Sequence, residues 1–338
     1  MKSIYVAIPS LDDTELVPTV LNAFAAAKHP ERVFVGVSLL AKDKWRQKDF
    51  LNATKKYKDN IRFEYIHLNK KTKSMLLVGN GRRRVINLYS GQDYFLQVDA
   101  HAMFAQDWDA DLIDTHEKAC SFVKNDKVVL TAYSGYYTYD DDGKRFFCDL
   151  EERRMVENGW LHCPYYVSGL FYHDTIPRWD LIPPHIMKTL EPGTFVPVIK
   201  FNANFAFSSG DFAANSGLYD NAEFFEEEVL QTINLIKLGY TLVYPVLKDP
   251  IIGHLYGTYM RASYGRRLSK ADYIEKDEDK MSTNISINNY RSYLKDPANR
   301  DAIDIYEKYT KMKLNLGPSK TVFLFPDHFL NSNVLYQQ

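Results

Sequence analysis

The sequence predicts a doubly wound α/β fold. Short apolar runs rich in β-branched residues alternate with segments of helical period through roughly the first hundred residues, as strand–helix–strand units do. The run Arg32–Leu40 (RVFVGVSLL) is apolar on both faces, as a parallel strand covered by helices should be. Residues able to bind or react stand where such runs end: Ser10 and Asp13 after the first, Asp99 and His101 after the fourth. Ligands of doubly wound sheets bind beyond the carboxyl ends of the strands, so the fold class also says where function should lie.

Ile4 to Ile8 forms the first strand by its β-branched content, closed by Pro9-Ser10. Asp12 and Asp13 then cap a helix whose apolar positions Leu16, Val20, Leu21 and Phe24 recur at helical spacing, ended by His29-Pro30. After the second strand, residues 41–60 are polar and read as a loop and an exposed helix, and Ile61 to His67 is a third strand. Gly79-Asn80-Gly81 opens a helix carrying Arg82, Arg83 and Arg84 beside Val85, Ile86 and Leu88, and Tyr94–Val98 is the fourth strand.

The middle of the chain is less regular. Trp108 to Val123 reads as a helix and Val128 to Tyr133 as a buried strand. Asp140-Asp141-Asp142-Gly143 resembles a carboxylate cluster, but Asp-Gly between Tyr-rich and Phe-rich segments predicts a hairpin turn. The proline-rich residues 174–197 are expected to be loop-rich. Phe201 to Phe207 resumes as a strand, a helix runs from Phe224 to Leu238 before Gly239, and Thr241 to Pro245 is another strand. His254 directly follows the apolar run Ile251-Ile252-Gly253. Residues 271–338 alternate short helical patterns with charged loops and include the apolar run Thr321-Val322-Phe323-Leu324-Phe325.

At 338 residues the chain can form one large or two ordinary domains. A net charge of −1 provides no global field toward nucleic acid or membrane, although a local basic patch remains open. No apolar run approaches the ~18 residues that a membrane span needs, and the N-terminus reads as the first strand rather than a signal peptide. Cys120, Cys148 and Cys163 form neither a disulfide framework nor a CxxC site, as expected of small buried hydrophobes in a reducing cytoplasm.

An apolar strand has no packing need for a carboxylate and an imidazole at its tip. Asp99-Ala100-His101 provides a hard oxygen and a borderline nitrogen, which from one strand end can both reach one metal ion. Phe224-Phe225-Glu226-Glu227-Glu228 admits two readings: acids suit a helix N-terminus through the macrodipole, and the same acids can deliver a carboxylate to a pocket. The segment Tyr259 to Lys270 mixes Arg261, Arg266, Arg267 and Lys270 with Tyr259 and Tyr264; this suits phosphates and stacked bases as well as solvent.

Several of these residues together resemble a known family. The stretch from Gly81 through Trp108, with Leu88-Tyr89-Ser90-Gly91-Gln92-Asp93-Tyr94 and Leu96-Gln97-Val98-Asp99-Ala100-His101, is similar to the central segment of the cytoplasmic-type polypeptide N-acetylglucosaminyltransferases. That family includes the enzyme that modifies hydroxyproline on the ubiquitin-ligase adaptor Skp1. His29–Val37, Asn204–Ser208, Phe224–Glu228 and His254–Tyr256 match further islands in the same order, so the resemblance covers roughly residues 4–260. It implies a GT-A nucleotide-sugar-binding fold with a mixed sheet, a divalent ion (Mn²⁺ or Mg²⁺) on Asp99, His101 and His254, and transfer with retention. Ala100 stands where the family has Ser, Glu226 where it has Gly, and the Arg82–Arg84 run leaves open which arginine is the family's single one, spacing favouring Arg82.

On that resemblance residues 1–260 are the GT-A domain, with a donor and metal half to about 110 and an acceptor half after it, and 261–338 a C-terminal extension packed on it. The donor is a UDP-sugar, expected to meet Ser10, Asp13, Arg82, Arg83 and Asp99, while Glu227 or Glu228 orients the acceptor hydroxyl or the donor sugar. The acceptor is a protein hydroxyl or, as in a phage-type DNA glycosyltransferase, a hydroxymethylated base gripped by Tyr259–Lys270 with Lys70, Lys71 and Lys73. A non-catalytic nucleotide-sugar-binding protein and a nucleotide-sugar hydrolase are the remaining alternatives.

Overall fold

The axis of the main sheet is β1 (Ile4–Leu11), whose residues alternate between two cores. In the computed structural model, which describes residues 2–69, 77–132, 134–147, 165–172, 176–181, 191–198, 200–216, 221–222, 224–255, 288–310 and 314, Ile4, Val6 and Ile8 face one layer of helices and Tyr5 and Ala7 the other. Helices α1 (Leu16–Ala25), α2 (Trp45–Ala53) and α4 (Trp108–Val123) supply Val20, Phe24, Phe50, Trp108 and Leu112 to the first core. Helices α3 (Val78–Asn87) and α5 (Phe224–Lys237) supply Val85, Ile86 and Leu235 to the second. Apolar residues on both faces of β1 and β2 (Val33–Ala41) are thus accounted for by two layers of cover. Gly36 on β2 has a steric reason: a side chain there would fall on the Tyr5 hydroxyl, which donates to the Val85 carbonyl.

β1 pairs in parallel with β2 on one side and β4 (Tyr94–Val98) on the other, and β3 (Ile61–His67) extends the sheet beyond β2. The chain therefore winds outward through β3 and returns across β1 to place β4, which creates a switch point between β1 and β4. Beyond β4 the sheet is mixed. β5 (Ala102–Phe104) leaves it, while β6 (Val128–Thr131) and β13 (Thr241–Pro245) pair in parallel. β12 (Phe205–Ser209) inserts antiparallel between β4 and β6, and β11 (Phe195–Pro197) borders β13.

A second sheet of four short strands stands at the carboxyl edge of the first, in the order β5, β14 (Ile252–His254), β7 (Gly135–Tyr139), β8 (Arg145–Phe147). β7 and β8 form the hairpin that Asp-Gly predicts: Asp140 Oδ1 accepts from the Asp142 and Lys144 amides, and Gly143 takes φ +76°. Helix α6 (Arg300–Thr310), from the C-terminal part of the chain, packs on α5, and Lys237 Nζ donates to Asn299 Oδ1 at 2.9 Å.

Three expectations need correction. Residues 174–197 hold strand as well as loop: β9 (Tyr165–Tyr172) pairs with β10 (Ile176–Leu181), and β11 follows. Pro177 borders a register shift in the β9–β10 pairing, and Pro197 ends an edge strand. The strand expected over Phe201–Phe207 starts only at Phe205, since the Asn202 side chain accepts from the Asn204 amide and turns the backbone there. Helix α1 is capped by Glu15, whose amide donates to Asp13 Oδ1 at 2.9 Å, while Asp12 adopts a left-handed φ of +47°. The segments Lys70–Lys73, Tyr259–Lys270 and Thr321–Phe325 lie outside the described residues.

Candidate active site

Asp99 leaves the carboxyl end of β4 on the switch-point side, and Asp13 leaves the end of β1 next to it. Two residues on, His101 stands immediately before β5, and His254 is the last residue of β14. The antiparallel pairing of β5 with β14 sets Ala102 opposite His254, and the Leu255 amide donates to the His101 carbonyl at 3.1 Å. Two strands distant in sequence thereby bring their histidines together, ring centroids 4.4 Å apart and planes at 73°.

The three expected metal ligands converge. His101 Nε2 lies 2.8 Å from His254 Nε2, and Asp99 Oδ2 lies 3.1 Å from His254 Nε2 and 3.8 Å from His101 Nε2. Around a six-coordinate ion with bonds near 2.1 Å, neighbouring ligand atoms stand roughly 3 Å apart, so this triad has the span of three positions around one ion. Its donor set of one carboxylate and two imidazoles suits a borderline divalent metal. Among the described residues it is the one cluster of His, Cys, Asp and Glu with such geometry.

A second layer of contacts aims these ligands. Asp13 Oδ2 lies 2.9 Å from His101 Nδ1; accepting that N–H leaves a lone pair on Nε2, where an ion needs it. Asp13 is thus engaged with a histidine, and Ser10 Oγ lies 3.4 Å from its amide. From α3, Arg82 reaches Asp99 Oδ1 at 3.4 Å and pairs with Glu227 of α5. Arg82 and Glu227 are 3% and 0% exposed, yet Arg82 Nε and Glu227 Oε1 have no protein partner. Arg83 is on the same helix but partly exposed, and Arg84 turns away to Glu64 at 3.1 Å. Of the three arginines, Arg82 is the one joined to the cluster.

Burial alone would raise the Asp99 carboxyl, but the hydrogen bond from His254 and the charges of His101 and Arg82 hold it below the usual carboxylate range. Burial pushes Glu227 up to about 7 against the pull of Arg82, and Glu228 next to it adds to the rise. Arg82 itself is buried, which lowers its pKa, but Glu227, Asp99 and Glu228 outweigh that and keep it charged. Glu228 is engaged separately: Oε1 accepts from the Ala203 amide at 3.1 Å, and Oε2 pairs with the buried Lys200 at 3.1 Å. Lys200 lies in an apolar stretch with no motif around it, and nothing in the sequence marks it. Glu15 and Arg145 are likewise unmarked, and they meet beside the histidines.

The doubly wound, mixed sheet, with a carboxylate and two histidines at its switch point, has the GT-A fold. The sequence model of the family described as Glycosyltransferase (GlcNAc) matches residues 78–310, and the chain belongs to that family. Among solved structures the chain is similar to GalNAc-T7 in complex with UDP, GalNAc and Mn²⁺, at 12% identity and a TM-score of 0.53, over 95% of this chain and 52% of that one. It thus spans about half the length of that protein, and the likeness is one of fold. TarS of S. aureus matches at 12% identity and a TM-score of 0.45, over 92% of this chain and 46% of that one. The mannosyltransferase PcManGT from Pyrobaculum calidifontis, with GDP-Man and Mn²⁺, matches at 10% and 0.41, over 92% and 84%. No curated protein matches the chain. Among the described residues, no helix is long and apolar enough to cross a membrane.

Proposed function

We propose that this protein transfers a sugar from a UDP-sugar to a hydroxyl of a macromolecular acceptor, in the cytoplasm, with Mn²⁺ or Mg²⁺ held by Asp99, His101 and His254. The observation that carries the reading is the convergence of those three side chains, aimed by Asp13 and Arg82, at the β1–β4 switch point. The family supports a nucleotide-sugar donor, and GlcNAc is the first sugar to test. Residues 1–260 form the transferase domain in this reading, the donor side ending near 110, and 261–338 are an extension to it.

Transfer breaks the bond from the anomeric carbon to the diphosphate oxygen and makes one to the acceptor oxygen, whose proton must leave. A bound divalent ion supplies Lewis-acid stabilisation of the departing diphosphate. Asp13 fixes the His101 tautomer, and Arg82 holds Asp99 Oδ1 so that Oδ2 faces the histidines. The charge on Arg82, in a site shielded from water, adds to the field that favours a departing anion. Ser10 at the end of β1 and Arg83 on α3 serve the nucleotide side. Glu227 and Glu228, at the start of α5, orient the sugar or the acceptor hydroxyl. In this reading the transfer retains the anomeric configuration.

The test is release of UDP from a panel of UDP-sugars with Mn²⁺, for wild type and Asp99→Ala, with and without hydroxymethylated DNA. Metal-dependent release that Asp99→Ala abolishes supports the reading. Release that rises only with modified DNA assigns the acceptor to DNA, and release indifferent to DNA directs the search to protein hydroxyls. Free sugar as the sole product, whatever the acceptor, would make the protein a hydrolase. Equal rates for Asp99→Ala and wild type would remove the metal from the reaction.

A further inference from the structure

Beside the metal triad, a connected group of largely buried polar side chains joins Glu15, Tyr137, Tyr139 and Arg145. Glu15 Oε2 accepts from the Arg145 guanidinium, from the Tyr139 hydroxyl and, at 3.1 Å, from the Tyr137 hydroxyl. Arg145 spends its other nitrogens close by: Nε donates to Tyr139 Oη at 3.1 Å and Nη1 to the Ala102 carbonyl at 3.2 Å. Its guanidinium also lies over the Tyr137 ring, 5.0 Å from the centroid.

The place of this group is what matters. Ala102 follows His101 directly and stands opposite His254 in the β5–β14 pairing. Its carbonyl takes a second hydrogen bond from Thr19 Oγ1 at 2.8 Å, so α1 and β8 both hold the turn that carries His101. His254 is in register with Tyr136 of β7, and a side chain on Gly253 would strike the Phe147 ring of β8, so the hairpin is seated on the strand of the second histidine. Glu15, finally, is two residues from Asp13, which orients His101. One ion pair thus ties together the three pieces of chain whose spacing sets the histidine–histidine distance.

Stability does not explain it. Two charges buried here lose much of their hydration, and apolar replacements of similar volume are often neutral or better for folding. What an ion pair with so many directional contacts adds is a fixed register.

We propose that Glu15 and Arg145 are positioning residues of the metal site: the Arg145 bridge between Glu15 and the Ala102 carbonyl sets the spacing of His101 and His254. This rests on the metal reading above, and the test separates the two. Mn²⁺ is titrated into the full chain without nucleotide, free ion being read by electron paramagnetic resonance, with a thermal melt of every variant. Arg145→Met should weaken Mn²⁺ binding by about 10- to 100-fold, the usual effect of losing an outer-shell partner. Arg145→Lys, which keeps the charge but cannot reach all three acceptors, should fall between it and wild type. Adding Glu15→Gln to Arg145→Met should cause little further loss, because both act through one contact. Glu117→Gln, which removes an exposed acid paired with Lys2, should bind as wild type does.

A folded Arg145→Met that binds Mn²⁺ as tightly as wild type overturns the proposal, even if its melting temperature drops. Should Arg145→Met fail to fold, Arg145→Lys and Tyr139→Phe decide by the same titration. Wild type that binds no Mn²⁺ overturns the metal reading and this inference with it.

Discussion

Two buried arginine–glutamate pairs flank the turn from Asp99 to Ala102, and they are finished differently. Arg145 and Glu15 sit in a closed network in which every guanidinium nitrogen donates and the glutamate collects three donors. Arg82 and Glu227 are buried more deeply, yet Arg82 Nε and Glu227 Oε1 lack protein partners, and the second contact of Arg82 to Asp99 is long at 3.4 Å. Buried polar groups are normally satisfied. The pair beside the three convergent ligands thus keeps two buried polar atoms without a protein partner, whereas in the other pair every guanidinium nitrogen has a protein acceptor.

The strongest way to break this contrast is to remove the ligand between the pairs. Asp99→Ala should lower metal-dependent transfer by about 1,000-fold or more, because the ion loses a charged ligand and its anion-stabilising role; initial rates under saturating Mn²⁺ check it. Next in size, Glu227→Leu should destabilise the fold by about 3–5 kcal/mol in urea unfolding, since it leaves Arg82 charged and buried with only the distant Asp99 oxygen. Arg82→Met should cost less, because Glu227 can take up a proton and an arginine cannot shed one.

That same asymmetry gives a pH test. Glu227 titrates near 7 in the folded chain against 4.5 unfolded, so between those values the native state holds a proton that the unfolded state does not. Stability of the metal-free protein should therefore fall as pH rises from about 4.5 to about 7, by up to roughly 3 kcal/mol from this group. Glu227→Gln should flatten that segment of the curve; an unchanged slope would mean the carboxylate is ionised throughout. Asp13→Asn should weaken Mn²⁺ about tenfold by loosening the His101 tautomer, as an ion titration would reveal. Smallest of all, Lys2→Met should change stability by no more than about 1 kcal/mol, because its partner Glu117 is half exposed.

Much of this was legible beforehand, for stated reasons. The order of strands and helices follows from apolar runs of the right length, and α4 spans Trp108–Val123 as its periodicity predicts. Asp99, His101 and His254 could be picked out because strand ends need no such side chains for packing. Asp13 was visible as a polar residue after β1, but its partner was not, since contact with His101 depends on how β1 and β4 lie side by side. Lys200, Glu15 and Arg145 left no mark because isolated charged residues are common on surfaces, and only the tertiary fold buries them. The mixed pairing of β12 was likewise invisible in its own sequence: periodicity finds a strand but not its neighbours.

β12 has a kinetic consequence. It slots between β4 and β6, with Phe205 opposite Val98, so the edge of β4 stays unpaired until a segment about a hundred residues later has been made. His254 follows later still. During synthesis the Asp99 strand should offer an open edge to chaperones or to other nascent chains. The cluster of Asp99, His101 and His254 should therefore be among the last parts to assemble, so that a chain still being made has no complete metal-binding triad.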